Sequence, residues 1–307
     1  MKVFDTKLGE AICSDSNEYI AKVIKDNSLD LIITSPPFAL ERKKSYGNPS
    51  GEEYLEWIEN YGNLFFKKLK DTGSLVIDFG GSWNKGEPTR KLHQFKIPII
   101  FCEQIGFKLA QEFFWWNTSK IPSPAQWVTI KRQRVTDAVN YIFWFSKSSF
   151  PKANNRKILK PYSKKMEQLI ANQKYNKNLR PSEHKISDIW GRNNKGAIPQ
   201  NCLPYGNSAF DPYLKYCDEN NYEKHPARFG HFIPEFFIRF LTDENDLVLD
   251  PFAGSCTTGA VAEALNRKWI CIDNYPEYLK GGEGRFKEGY KFNIKPDDSI
   301  DYKIDLE

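Results

Sequence analysis

Apolar residues in the first half of the chain fall into short continuous runs and helix-spaced series that take turns, which predicts an α/β fold. The run 29–34 (L-D-L-I-I-T) reads as a buried strand that stops at Ser35-Pro36-Pro37-Phe38. Tyr54, Ile58, Tyr61, Phe65 and Leu69 follow at helical spacing, with Asp71-Thr72-Gly73 as the expected helix end. The run 74–79 (S-L-V-I-D-F) is the next strand, closed by Gly80-Gly81. A second helix is expected over 90–105 with Gly106 as its cap, then strands over 109–116 and 139–145.

From about 150 to 222 the pattern breaks down. Pro, Asn, Lys and Ser dominate there, with isolated aromatics, which predicts a loop-rich insertion. Periodicity resumes with Ile233, Phe236, Phe237, Phe240 and Leu241 on one helical face, Pro234 lying in the first turn. Leu247-Val248-Leu249 is then a strand, 250–255 a turn, and Thr257 opens a helix buried through Val261, Ala264 and Leu265. Trp269-Ile270-Cys271-Ile272 makes another strand, ending at Asp273. No internal repeat is visible. The reading therefore divides the chain at 1–149, 150–222 and 223–307.

With 307 residues there is room for one large or two modest domains and a sizeable core. No apolar run is long enough to span a bilayer and no leader pattern opens the chain, so a protein of the cytoplasm with no membrane partner is expected. The six cysteines are scattered without a C-x-x-C pair, which argues against a metal site or a disulfide framework. The net charge of +5 is unevenly placed. Between Lys147 and Lys195 stand 13 Lys and Arg against three acids, a local excess of ten, so the rest of the chain is net negative. A basic segment in such a body fits a polyanion-binding lobe or a solvated Lys/Asn-rich surface.

Two turns carry candidate chemistry. In the first, a strand ends in Asp250-Pro251-Phe252-Ala253-Gly254-Ser255 before a helix, so small residues let a ligand approach the backbone and free N–H groups. About twenty residues on, Asp273 ends a second strand, placed to accept hydrogen bonds from two ribose hydroxyls. That is a nucleoside site, unless the turn simply holds strand to helix. It lacks the glycine pattern of a dinucleotide site. In the second, two prolines stiffen 34–38 (T-S-P-P-F), presenting the Ser35 hydroxyl and the Pro36 carbonyl as acceptors beside the flat Phe38 ring. Such a pair suits an exocyclic amino group on a planar base; the alternative is a proline-stiffened loop with a core Phe.

T-S-P-P-F together with D-P-F-A-G-S-C-T-T-G resembles the paired signatures of S-adenosylmethionine-dependent amino-methyltransferases of DNA. The order is the circularly permuted one, catalytic motif first and cofactor motif last. Segments such as K-I-P-S-P-A-Q-W, W-F-S-K, H-P-A-R-F and P-E-F-F-I-R resemble cytosine-N4 modification methyltransferases of the PvuII type across nearly the whole chain, least so from about 150 to 223. The resemblance implies a Rossmann-like class I methyltransferase fold, a mostly parallel sheet flanked by helices, with an inserted recognition region that binds double-stranded DNA. A cognate restriction endonuclease acting separately is a further implied partner.

Residue by residue, the resemblance assigns Ser35, Pro36, Pro37 and Phe38 to catalysis. It assigns Asp250, Phe252, Ala253, Gly254, Ser255, Cys256, Thr257 and Asp273 to the cofactor, with Asp15, Thr34, His225, Arg228 and Phe229 as further contacts. Cys256 stands where many relatives have Gly and is read as a small turn residue. Carbon-5 methylation would need a Pro-Cys on the catalytic loop, and none is there. Serine at the first catalytic position goes mostly with cytosine N4, Asp or Asn with adenine N6. Trp115 or Trp116 is a candidate opposite wall for the base, or core. DNA contacts are expected from Arg42, Lys43, Lys44, Lys160, Lys164, Lys165, Arg180 and Lys185. Adenine-N6 methylation and a non-catalytic DNA-binding protein are the alternatives.

Overall fold

The computed structural model describes residues 1–38, 51–172, 193–206 and 211–295. Nine strands form one sheet: β1 (Lys2–Asp5), β2 (Gly9–Cys13), β3 (Leu29–Thr34), β4 (Leu69–Phe79), β5 (Lys108–Trp116), β6 (Val139–Ser146), β7 (Cys202–Pro204), β8 (Leu247–Asp250) and β9 (Lys268–Asp273). Their order is β1-β2-β9-β8-β3-β4-β6-β5-β7. From β2 to β4 all neighbours are parallel, whereas β6 runs antiparallel to both β4 and β5. The expected α/β class and flanked sheet are what the chain forms.

All six residues of β3 are buried, because helices cover both faces of the sheet at its centre. On one face Leu31, Ile33 and Val76 pack with Ile233 and Phe237 of α6 (Phe232–Leu241) and Val261 of α7 (Thr257–Ala264). On the other, Ile32, Leu75 and Ile77 pack with Ile20 of α1 (Ser16–Val23), Ile58 and Phe65 of α2 (Glu52–Lys68), and Ile97 of α3 (His93–Ile100). Three layers result, with the core split evenly across the sheet.

Two local expectations are corrected. Asp71-Thr72-Gly73 does not end a helix; α2 stops at Lys68, and Leu69 already pairs with Leu29 as the first residue of β4. The register then jumps, with Leu31 opposite Ser74, so 70–73 bulge from within the strand. The helix expected over 90–105 is α3 followed by a π-turn over Phe101–Ile105, and Gly106 (φ 101°) caps it as predicted. The segment 150–222 carries α4 (Lys164–Asn172), which buries no residue, and gives two elements to the main body: β7 on the sheet edge and α5 (Pro212–Asn220), whose Tyr213, Tyr216 and Cys217 are buried. Helix α8 (Pro276–Gly282) follows β9.

Candidate active site

The carboxyl ends of β3, β8 and β9 open into one cavity of about 240 Å³. Ser35, Pro36, Pro37 and Phe38 line it with Phe252, Ala253, Gly254, Ser255 and Asp273, so the two sequence motifs meet there. Asp15, His225 and Phe229 line it as well. Ala227, from the H-P-A-R-F segment, faces the cavity too, as do Trp57 and Tyr61 of α2, Ser14, Ser16, Asn274 and Tyr278, which the sequence reading did not assign to a site.

Asp273 orders the cofactor side. One carboxylate oxygen accepts from the Gly254 backbone N–H at 2.8 Å and the other from Tyr275 N–H at 2.9 Å. Each oxygen keeps a lone pair for a further donor, so a vicinal diol fits. Burial raises the Asp273 carboxyl above its ordinary range, the backbone donors working against it. Gly254 has φ 49°, and a Cβ there would lie 2.9 Å from His225 Nε2, so the turn needs glycine both for its backbone and for the imidazole above it. Phe252 sits between Trp57 (5.4 Å) and Tyr61 (5.0 Å), an aromatic flank for a flat ring. Asp15 caps α1 by accepting from Glu18 N–H at 3.0 Å. An acidic diol binder, a glycine cradle and an aromatic flank fit the adenosine part of S-adenosylmethionine.

Five residues expected at the cofactor are not among those that line the cavity. Asp250 is fully enclosed: Thr34 Oγ1 donates to it at 2.7 Å, Thr258 Oγ1 at 2.6 Å and Phe252 N–H at 3.1 Å. Burial pushes its carboxyl up to about 6 against those three donors. Asp250 and Thr34 therefore tie the two turns together. Cys256 is buried at the left-handed φ of 55°, which explains why glycine suits this position, and its thiol does not reach the cavity. Thr257 is buried in the first turn of α7. Arg228 turns toward Asp211 (Nε–Oδ2 2.9 Å).

On the catalytic side, the sequence reading overlooked Asp78. The register Thr34↔Ile77 sets Asp78 level with Ser35 on the neighbouring strand, and Ser35 Oγ donates to Asp78 Oδ2 at 3.2 Å. Asn140 Nδ2 donates to the same oxygen at 3.3 Å, and among the described residues Oδ1 has no hydrogen-bond partner. Burial pushes this carboxyl up to about 7, opposed by Asn140, Ser35 and the charge of Lys120. The signal was present: a lone acid next to the end of an otherwise apolar strand. Phe38 lies against Gly80, where any Cβ would overlap its ring. Neither tryptophan lines the cavity. Trp115 is buried, with its indole N–H on Tyr205 O at 3.0 Å, and Trp116 is half exposed. Strand β5 lies three places from β3, about 14 Å away.

The basic segment is less free than its count implied. Lys147 pairs with Asp71, Lys152 with Asp243 and Asp246, and Lys157 with Asp243, which anchors the start of the segment to the body. Lys164 and Lys165 are exposed at the first turn of α4, and Lys160 pairs through its backbone with Ala197. Arg42, Lys43, Lys44, Arg180 and Lys185 lie outside the described residues. Among the described residues no group of His, Cys, Asp or Glu could hold a metal, and no helix is long and apolar enough to cross a membrane.

Residues 29–283, spanning both turns, match the DNA methylase family model for N6 and N4 methyltransferases. This chain belongs to that family. The Type II methyltransferase M.PvuII of Proteus hauseri is 44% identical over 286 residues, covering 92% of this chain and 85% of the relative. M2.LlaDCHI of Lactococcus lactis subsp. cremoris is 26% identical, covering 92% and 90%. The solved PvuII DNA methyltransferase, described as cytosine-N4-specific, superposes with a TM-score of 0.76 at 38% identity, over 97% of this chain and 92% of that one. The sheet of this DNA methylase is thus that of the class I methyltransferases.

Proposed function

We propose that this protein transfers a methyl group from S-adenosylmethionine to the exocyclic N4 of cytosine in double-stranded DNA, as the modification enzyme of a restriction-modification system. The observation that carries the reading is the Ser35–Asp78 hydrogen bond in a cavity shared with the Asp273–Gly254 turn. Asp273 would hold the ribose hydroxyls and Phe252 would flank the adenine. When bound, S-adenosylmethionine supplies an electrophilic methyl group on a sulfonium.

The chain supplies acceptors and position. The N4 lone pair of cytosine is delocalised into the ring and is a poor nucleophile. Ser35 Oγ and the Pro36 carbonyl accept the two N4 hydrogens and so draw the lone pair out of the ring plane toward the methyl group. Because the Ser35 hydroxyl donates to Asp78, its oxygen is the stronger acceptor. Transfer leaves N4 positively charged. One N4 proton then passes to Ser35 Oγ as the serine hydroxyl proton passes to Asp78 Oδ2, so the charge ends as a neutral carboxyl. A carboxyl near 7 is matched to that task at neutral pH. Phe38 stacks on the base, which must leave the duplex to reach this cavity. Holding both reactants in near-attack geometry supplies most of the rate.

The exposed lysines of 150–222, with Arg180 and Lys185, would contact phosphates, as would Arg42, Lys43 and Lys44 beside the catalytic turn; this middle segment would read the target sequence. A separate cognate endonuclease belongs with this reading. Mass spectrometry of nucleosides from DNA treated with the protein tests it: N4-methylcytosine is expected. N6-methyladenine would keep the acceptor chemistry and overturn the base, and 5-methylcytosine would refute the mechanism.

A further inference from the structure

The first turn of α5 binds two separate parts of the cofactor site at once. Asp211, its N-cap, accepts from Tyr213 N–H at 3.1 Å and takes both terminal nitrogens of Arg285, at 2.7 and 2.9 Å. Arg285 is 1% exposed and spends its remaining donors on the cofactor turn: Nε on Ser255 O at 2.8 Å and Nη2 on Ser255 Oγ at 3.2 Å. Its guanidinium is held flat between Tyr213 (4.9 Å) and Phe292 (4.8 Å). On its other side Asp211 accepts from Arg228 at 2.9 Å, and Tyr213 Oη accepts from His225 N–H at 2.9 Å. Residues 225–229 are therefore held at both ends by α5, and from that stretch His225, Ala227 and Phe229 line the cavity. Burial works to raise the Asp211 carboxyl, but Arg285, Tyr213 N–H and Arg228 together hold it below its ordinary value. It is a charged, three-way junction.

We propose that Asp211 is a positioning residue that fastens the 225–229 segment over the cofactor turn, joining Arg228 on the segment to Arg285 and Ser255 on the turn, and thereby sets how long the methyl donor stays bound. Asp211 touches neither reactant, and the link runs through the two arginines. A charge-assisted junction of this kind holds a cover without filling the cavity, so its loss speeds escape more than it slows entry. Because α5 is the last helix of the middle segment, whatever moves α5 also moves the cover. The inference rests on the S-adenosylmethionine reading.

The test compares Asp211→Asn, Arg228→Gln and Arg228→Lys with the wild-type full chain. Dissociation of S-adenosylmethionine is followed by stopped-flow tryptophan fluorescence, since Trp57 lines the cavity. Calorimetry gives the affinity, and kcat is measured at saturating donor. Asp211→Asn should raise the dissociation rate roughly tenfold to a hundredfold. Arg228→Gln should reproduce much of this and Arg228→Lys should recover part of it, with kcat at saturation within about twofold of wild type. The double variant should be no worse than Asp211→Asn alone, because both changes break one chain of contacts. An unchanged dissociation rate in Arg228→Gln, or lost heat stability with unchanged affinity in Asp211→Asn, would overturn the proposal. If Asp211→Asn does not fold, the less buried Arg228 (29% exposed) decides alone. A wild-type chain that does not bind S-adenosylmethionine refutes the underlying reading, whereas normal wild-type binding with unaltered variants refutes only the latch.

Discussion

Replacing Asp78 with Asn keeps the shape of the side chain and removes its titration. The folded carboxyl titrates near 7 against an ordinary value of 3.8. Between those values the folded state binds a proton that the unfolded state has released, so stability falls as the pH rises from about 4 to about 7. Three pH units at about 1.4 kcal/mol each give a penalty on the order of 4 kcal/mol, complete above neutrality and absent near pH 4. Asp78→Asn lacks that titration and should melt well above wild type at pH 8, while the two should converge near pH 4. Its activity should move the other way. Asparagine cannot take the proton from Ser35, so single-turnover methyl transfer should fall on the order of a hundredfold or more. The wild-type profile of kcat/KM should show a rising limb near pH 7, from the free enzyme, that the variant lacks. Calorimetric melting across pH and rapid-quench transfer assays give both readouts. An Asp78→Asn variant with the wild-type rate and the same rising limb would refute the relay, whatever its stability.

Asp273→Ala removes the charged acceptor for two ribose hydroxyls and should weaken S-adenosylmethionine binding by roughly 1.5–3 kcal/mol, measured by calorimetry, while DNA binding holds. Thr34→Val leaves the buried Asp250 short of its 2.7 Å donor and should cost about 1–3 kcal/mol in urea unfolding, with Thr34→Ser restoring it. Gly80→Ala places a methyl in the Phe38 ring and should reduce extrusion of the target base, read from 2-aminopurine fluorescence at that position. Neutralising Lys164 and Lys165 together should lower the salt slope of DNA binding by about 0.9 for each phosphate that no longer meets a cation. An unchanged slope would make the first turn of α4 a solvated surface.

Much of the sheet was legible because its strands are short and continuously apolar: 29–34, 74–79 and 247–249 each announce burial on both faces. The two turns were legible because prolines and glycines are punctuation with fixed geometry. What stayed hidden depends on neighbours that sequence spacing does not bring together. Asp78 is one acid in a strand until pairing places it beside Ser35, 43 positions away. Asp250 looks like a ligand contact until Thr34, 216 positions away, is seen to occupy it. The charge excess between Lys147 and Lys195 was overstated because Lys147, Lys152 and Lys157 meet carboxylates from the body. Leu69 was assigned to a helix because its spacing fits one, yet the same residue serves equally as the first of a strand.

Strands β2 and β3 are consecutive in the chain, yet β9 and β8 lie between them in the sheet. A growing polypeptide therefore makes the outer pair first and has nothing to set against the fully buried β3 on that side until residues beyond 247 exist. Pairings of such long sequence separation fold slowly. An unfilled edge of this kind is also open to other chains. Shortened products that stop before β8 would thus be the aggregation-prone species, and the site would assemble only in the last step of folding, when two late strands enter a gap left by two early ones. A DNA-modifying activity built this way waits on the end of synthesis: no chain that stops before β8 holds both turns.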